Sequence, residues 1–188
     1  MAATITIVSG LPRSGTSLMM QMLEAGGLPP LTDGERTADD DNPRGYYEYE
    51  AVKSTRQDPS WLAAAPGHVV KMVHVLLQDL PPQYAYRVVF MTRALAEVVR
   101  SQRVMLERAG RAPKLPDEQL RAVYASQYAK MQQWLSKQPN FDVLWVDYNA
   151  LIADPAPAVA AVGAFLGGEL DEAAMRAVID PDLYRQRG

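Results

Sequence analysis

Residues 4 to 23 read TITIVSGLPRSGTSLMMQML, and no other stretch of this 188-residue chain limits its fold as sharply. A β-branched run meets Gly10, a short turn follows, and Gly15 leads through Thr16 and Ser17 into an amphipathic segment. Residues 4 to 9 have the composition of a buried strand. Leu18, Met19, Met22 and Leu23 then recur at helical spacing until Gly26-Gly27 stops the pattern. A strand that passes through two glycines into a helix gathers backbone amides at the positive end of that helix. Gly10 and Gly15 permit tight turns and close approach of a ligand to the backbone. Arg13 adds a forked cation, and Thr16 and Ser17 add hydroxyls. Residues 10 to 17 therefore read as a cradle for a multiply charged anion; the plainer alternative is a corner whose glycines serve geometry alone.

The rest of the chain repeats the alternation. HVVKMV (68–73), YRVVFMT (86–92) and FDVLWVDY (141–148) are predicted strands. Helices are predicted over 94–108, from Pro116-Asp117 through Leu135, over 155–166 and over 171–179. Strands alternating with helices imply one α/β domain over 1–188, with a mainly parallel sheet of four to five strands. Its binding sites are expected beyond the carboxyl ends of the strands. Residues 28 to 46 are turn-rich, and so long a stretch in a small domain points to either a functional or a disordered segment. A hydrophobic content of 48% and a charged content of 22% suit a packed core. The formal net charge of −3 argues against nucleic acid or anionic membrane as partners. The absence of cysteine excludes disulfides and thiol catalysis, and two histidines make a histidine-rich metal site improbable. Without a basic leader or a long apolar run, the expectation is a cytoplasmic protein.

In nucleotide-hydrolysing enzymes a lysine follows the second glycine of such a loop and reaches the β- and γ-phosphates, and an acidic strand end helps hold magnesium. Here Thr16 takes the lysine position, the cation has moved to Arg13, and the strand ends offer Lys71 and Arg93. A site lined by side-chain cations has less need of a metal. It suits a donor whose transferred group carries less charge, such as a sulfuryl group.

GLPRSGTSL resembles the 5′-phosphosulfate-binding loop of the P-loop sulfotransferases, which use 3′-phosphoadenosine 5′-phosphosulfate (PAPS) and release adenosine 3′,5′-bisphosphate (PAP). In MTRALAEVVRSQ, Arg93 follows a strand and Ser101 lies eight residues on, a spacing similar to the family's 3′-phosphate pair. VLWVDYNALIADPAPAVAAVGAFLG resembles a further family segment, in which Tyr148 matches a tyrosine near the adenine. The resemblance spans residues 5 to 168. It implies a three-layer α/β/α P-loop NTPase-like fold. It also implies donor binding by Pro12, Arg13, Ser14, Gly15, Thr16, Ser17, Arg93, Ser101 and Tyr148, with no metal. Two family features are missing. Leu18 stands where cytosolic relatives have an adenine-stacking aromatic, and a glycine-rich basic loop near the C-terminus is absent.

For catalysis the resemblance implies Arg13 on the leaving phosphate and Lys71 on the transferring sulfuryl group. A base must take the acceptor's proton. Glu35 is the first choice, His74 the second and Asp33 the third, each one residue out of register with a family base. DDDNPRGYYEYE is similar to a segment of bacterial relatives; its tyrosines are expected to begin a helix, and Tyr47 and Glu48 to face the acceptor within a 28–50 acceptor-side segment. The acceptor class is a small-molecule or peptide hydroxyl or amine. At 188 residues the expectation is a minimal acceptor cover, or one supplied by a second subunit in a homodimer. A magnesium-dependent small-metabolite kinase using ATP and a nucleotide-binding module without turnover are the alternatives.

Overall fold

The first strand of the chain is the pivot of the sheet. In the computed structural model, which describes residues 4–34, 47–167 and 169–179, strand β1 (Thr4–Gly10) lies between β2 (Val69–Val73) and β3 (Ala85–Thr92), and β4 (Phe141–Asp147) lies outside β3. The order β2-β1-β3-β4 is parallel throughout, with Gly10 level with Val73 on one side and Met91 on the other. The chain leaves β1 toward one neighbour and later returns to its other side. This opens a crevice beyond the carboxyl end of β1, where the glycine loop emerges.

Alternation along the strands sorts the core into two layers. Ile5, Ile7, Val70, Met72, Val88 and Phe90 face one side and pack with Met131 and Leu135 of α3 (Asp117–Leu135). Val8, Val69, Val89, Met91 and Val146 face the other side. They meet α1 (Thr16–Ala25), α4 (Tyr148–Ala153), α5 (Pro155–Leu166) and α6 (Glu172–Ala177). The result is a three-layer α/β/α arrangement. A third cluster joins Leu11 of the loop to Val98 and Val99 of α2 (Leu95–Arg108) and Tyr124 of α3, anchoring the loop to both helices. The outer edge of β2 is partly covered, because Leu31 donates to the Val69 carbonyl and Val69 to the Pro29 carbonyl.

Two local expectations differ from the structure. Tyr148 does not end the fourth strand. Asp147 accepts from the Ala150 amide at 2.8 Å and caps a helix whose first residue is Tyr148. The tyrosine segment does not begin a helix either: Tyr47 has φ 53°, Tyr49 is extended, and a 3-10 turn starts only at Glu50. Tyr46 lies outside the described residues. Among the described residues no helix is long and apolar enough to cross a membrane.

Candidate anion-binding site

The loop between β1 and α1 is tightly determined. A Cβ on Gly10 would lie 2.4 Å from Ser14 Oγ and 2.7 Å from the Met91 carbonyl. One on Gly15, whose φ is 97°, would lie 2.3 Å from the Tyr148 ring. Glycine is required at both positions by space, and at Gly15 by backbone conformation as well. Arg13, between them, takes a left-handed φ of 68°, an uncommon state for a residue with a side chain. Ser14, one of the residues expected to bind the donor, holds the loop closed on itself. Its Oγ donates to the Leu11 carbonyl at 2.7 Å and its amide donates to the same carbonyl at 3.2 Å. Gly15 caps α1 with no side-chain hydrogen bond, and no acidic residue occupies the first turn. The positive end of the α1 dipole is therefore not offset by a side-chain cap or an acidic first-turn residue.

The second predicted cup adjoins the first. Arg93 follows directly on β3, and its Nη1 donates to the Arg13 carbonyl at 3.3 Å. Arg13 in turn donates from Nε to Ser101 Oγ on α2 at 2.9 Å. Arg13, Arg93 and Ser101, separated by up to 88 residues in sequence, thus form one contiguous group at the tips of β1 and β3. Tyr148 lies beneath them. It is buried, Gly15 packs on its ring, and the Arg93 guanidinium sits 4.5 Å above the ring centroid. Its position is that of a support for both cups. Pro12 is exposed, and Thr16 and Ser17 are half-buried at the start of α1.

Two residues of this group had not been singled out in the sequence. Glu97 of α2 is buried and accepts from Arg93 Nε at 2.8 Å. Its other oxygen accepts from Asn149 Nδ2 at 2.9 Å. The pair spans the turn from β3 into α2, with Arg93 before the helix and Glu97 in its first turn. The Asn149 contact comes from an element 52 residues away.

The other predicted residues are spread more widely. Lys71 is half-buried on the same face of β2 as Val69, the face covered by α1. His74 is the first residue beyond β2, so strand alternation no longer directs it. It is 3% exposed, with the Gly10 backbone and the α3 side chain Gln127 beside it, yet neither ring nitrogen reaches hydrogen-bond geometry with any described partner. Burial pushes its pKa below the ordinary histidine value, and the two polar neighbours offset this in part. Asp33 is exposed, its carboxylate accepting from the Glu50 amide. The Glu48 carbonyl accepts from Thr32 Oγ1 at 2.8 Å, which holds the two arms of the segment together. Tyr47 donates its hydroxyl to Glu24 in the last turn of α1, the opposite end of that helix from the loop. Glu35 lies outside the described residues.

A model of the sulfotransferase domain matches residues 4–181, nearly the whole chain. The chain belongs to the sulfotransferase domain family. That family performs sulfuryl transfer, and its fold agrees with solved structures at low sequence identity. A sulfotransferase from Mycobacterium tuberculosis H37Rv is 19% identical with a TM-score of 0.61, covering 95% of this chain and 71% of its own. The sulfotransferase domain from the curacin biosynthetic pathway is 14% identical with a TM-score of 0.55, covering 96% of this chain and 89% of its own. A retinol dehydratase solved with androsterone and inactive cofactor PAP is 16% identical with a TM-score of 0.51; the match covers 92% of this sulfotransferase-family chain and 62% of that protein. No curated protein matches the sequence.

Proposed function

We propose that this family member is a PAPS-dependent sulfotransferase acting on a hydroxyl or amine acceptor. The observation that carries the reading is the junction of the two cups: Arg93 donates to the carbonyl of Arg13, and Arg13 donates to Ser101. One nucleotide with phosphates at both its 5′ and 3′ positions fits such a pair of neighbouring cationic sites. The residues suit the donor: an uncapped helix end and Arg13 for the 5′-phosphate, Arg93 and Ser101 for the 3′-phosphate. When bound, PAPS supplies the sulfuryl group and a phosphate leaving group. Lys71, on the face of β2 that α1 covers, steadies charge on the transferring group. The base is assigned to the segment carrying Asp33 and Glu35. Asp33 is exposed two residues beyond the chain that pairs with the edge of β2, whereas the His74 ring is buried beside Gln127 of α3. Val73 and Val75, both exposed just beyond Lys71, offer the acceptor an apolar wall.

A thermal-shift panel tests the donor. PAP without magnesium is expected to raise Tm strongly, and Arg13→Ala or Arg93→Ala to abolish the shift. A shift seen only with ATP and magnesium would replace this reading with the kinase. PAP binding with no sulfate transfer to a broad set of phenols, alcohols and amines would leave a nucleotide-binding module.

A further inference from the structure

A carboxylate beside an anion-binding site is electrostatically counterproductive. Glu97 sits at that place, 6% exposed, against the arginine expected to meet a phosphate. Charge alone gives no reason for it, but the geometry does. A guanidinium is a planar fork, so fixing two of its nitrogens fixes its plane. Glu97 Oε2 holds Arg93 Nε at 2.8 Å, the Arg13 carbonyl holds Nη1 at 3.3 Å, and the Tyr148 ring lies under one face at 4.5 Å.

The carboxylate is itself fixed. Asn149 donates to Glu97 Oε1 at 2.9 Å, and its carbonyl oxygen accepts from the Ala94 amide at 3.1 Å. The orientation of the Asn149 amide follows from chemistry: the Ala94 N–H only donates and an ionised carboxylate only accepts. The chain Ala94–Asn149–Glu97–Arg93 thereby clamps the start of α2 to the start of α4 and passes the constraint to the guanidinium.

We propose that Glu97, braced by Asn149, is a positioning residue that fixes the pitch of Arg93 and so sets the preference for nucleotides bearing a 3′-phosphate over the same nucleotides lacking it. This rests on the donor reading above. Glu97→Gln is a sharp perturbation because it nearly preserves size. Its amide must present N–H groups to Arg93 Nε or to Asn149 Nδ2, both of which are donors, so the chain breaks at one link.

Calorimetric titration of the wild type, Glu97→Gln and Asn149→Ala with PAP and with adenosine 5′-monophosphate tests the proposal. The wild type is expected to bind PAP much more tightly. Glu97→Gln is expected to weaken PAP by about tenfold or more, the loss of one well-placed contact, while 5′-monophosphate affinity stays level; Asn149→Ala moves the preference the same way. Unchanged or tighter PAP binding by both variants, the result expected from removing a negative charge alone, overturns the proposal. Equal weakening toward both nucleotides also overturns it, because a merely structural role would act that way. A wild type that does not prefer PAP removes the donor reading itself, whereas a wild-type preference that survives in both variants removes only the role of Glu97. If Glu97→Gln does not fold, Asn149→Ala decides on the same criteria.

Discussion

Gly15 and Gly27 form a matched pair whose alanine substitutions separate backbone strain from steric conflict. Their φ values are 97° and 99°. An added Cβ at Gly15 would lie 2.3 Å from Cδ2 and 2.9 Å from Cε2 of Tyr148, whereas one at Gly27 would meet nothing within 4 Å. Holding an L-residue in the left-handed region costs about 1–2 kcal/mol, and that is the whole expected loss for Gly27→Ala. Gly15→Ala carries the same strain plus an overpacking term of about 1–3 kcal/mol, for a total of about 2–5 kcal/mol. In a domain of this size 1 kcal/mol moves Tm by about 2–4 °C, so Gly15→Ala should melt about 2–12 °C below Gly27→Ala by calorimetry. The Tyr148 ring displaced by the new methyl also carries the Arg93 guanidinium. PAP affinity is therefore expected to fall in Gly15→Ala and to hold in Gly27→Ala, whose site is at the far end of α1. Indistinguishable melting temperatures for the two variants would refute the packing argument. Intact PAP affinity in Gly15→Ala would refute the link from Tyr148 to the anion site.

Lys71→Met is expected to leave PAP affinity within about twofold and to lower turnover by about 10²–10³, the range for removing one donor to developing charge; a loss in binding instead would assign Lys71 to the donor's ground state. For the base, Asp33→Asn and Glu35→Gln should reduce the rate and flatten the acid limb of its pH profile. If only His74→Gln does so, the assignment to the 33–35 segment is wrong. His74 also predicts a pH-dependent stability. Its folded pKa is depressed, so below the ordinary value of about 6.5 the unfolded chain binds the proton that the native state refuses, and stability falls as pH drops through that window toward the folded pKa. Urea denaturation between neutral and mildly acidic pH should show a shallower fall in His74→Gln; identical slopes would show that the ring is not buried neutral.

The strand, loop and helix at residues 4 to 25 were legible because each rests on local physics: β-branched residues for the strand, glycines for the turn and a 3.6-residue apolar period for the helix. The parallel α/β class followed from alternation in the same way. Arg13, Arg93 and Ser101 were expected to share one site from residue type and position, and the fold brings them into direct contact. The packing of Ser14 and Tyr148 was not legible, because a hydroxyl and an aromatic ring do not announce which neighbours they meet. The close approaches to Gly10 and Gly15 decide that, and they exist only once β3 and α4 are packed beside the loop. The direction of His74 depended on where β2 stops, a boundary set by pairing with β1 rather than by the apolar run itself.

By itself, then, the order of residues determined the element types and the chemistry available at the strand tips, because backbone preferences and side-chain charge are properties of short segments. Only the tertiary structure decided that Glu97 and Asn149 brace Arg93, that Tyr148 packs against Gly15 and under Arg93, and that Tyr47 reaches Glu24 at the other end of α1. Apart from the Arg93–Glu97 pair, those contacts join residues far apart in the chain. Their geometry is a consequence of how the sheet and helices pack, which no local pattern encodes.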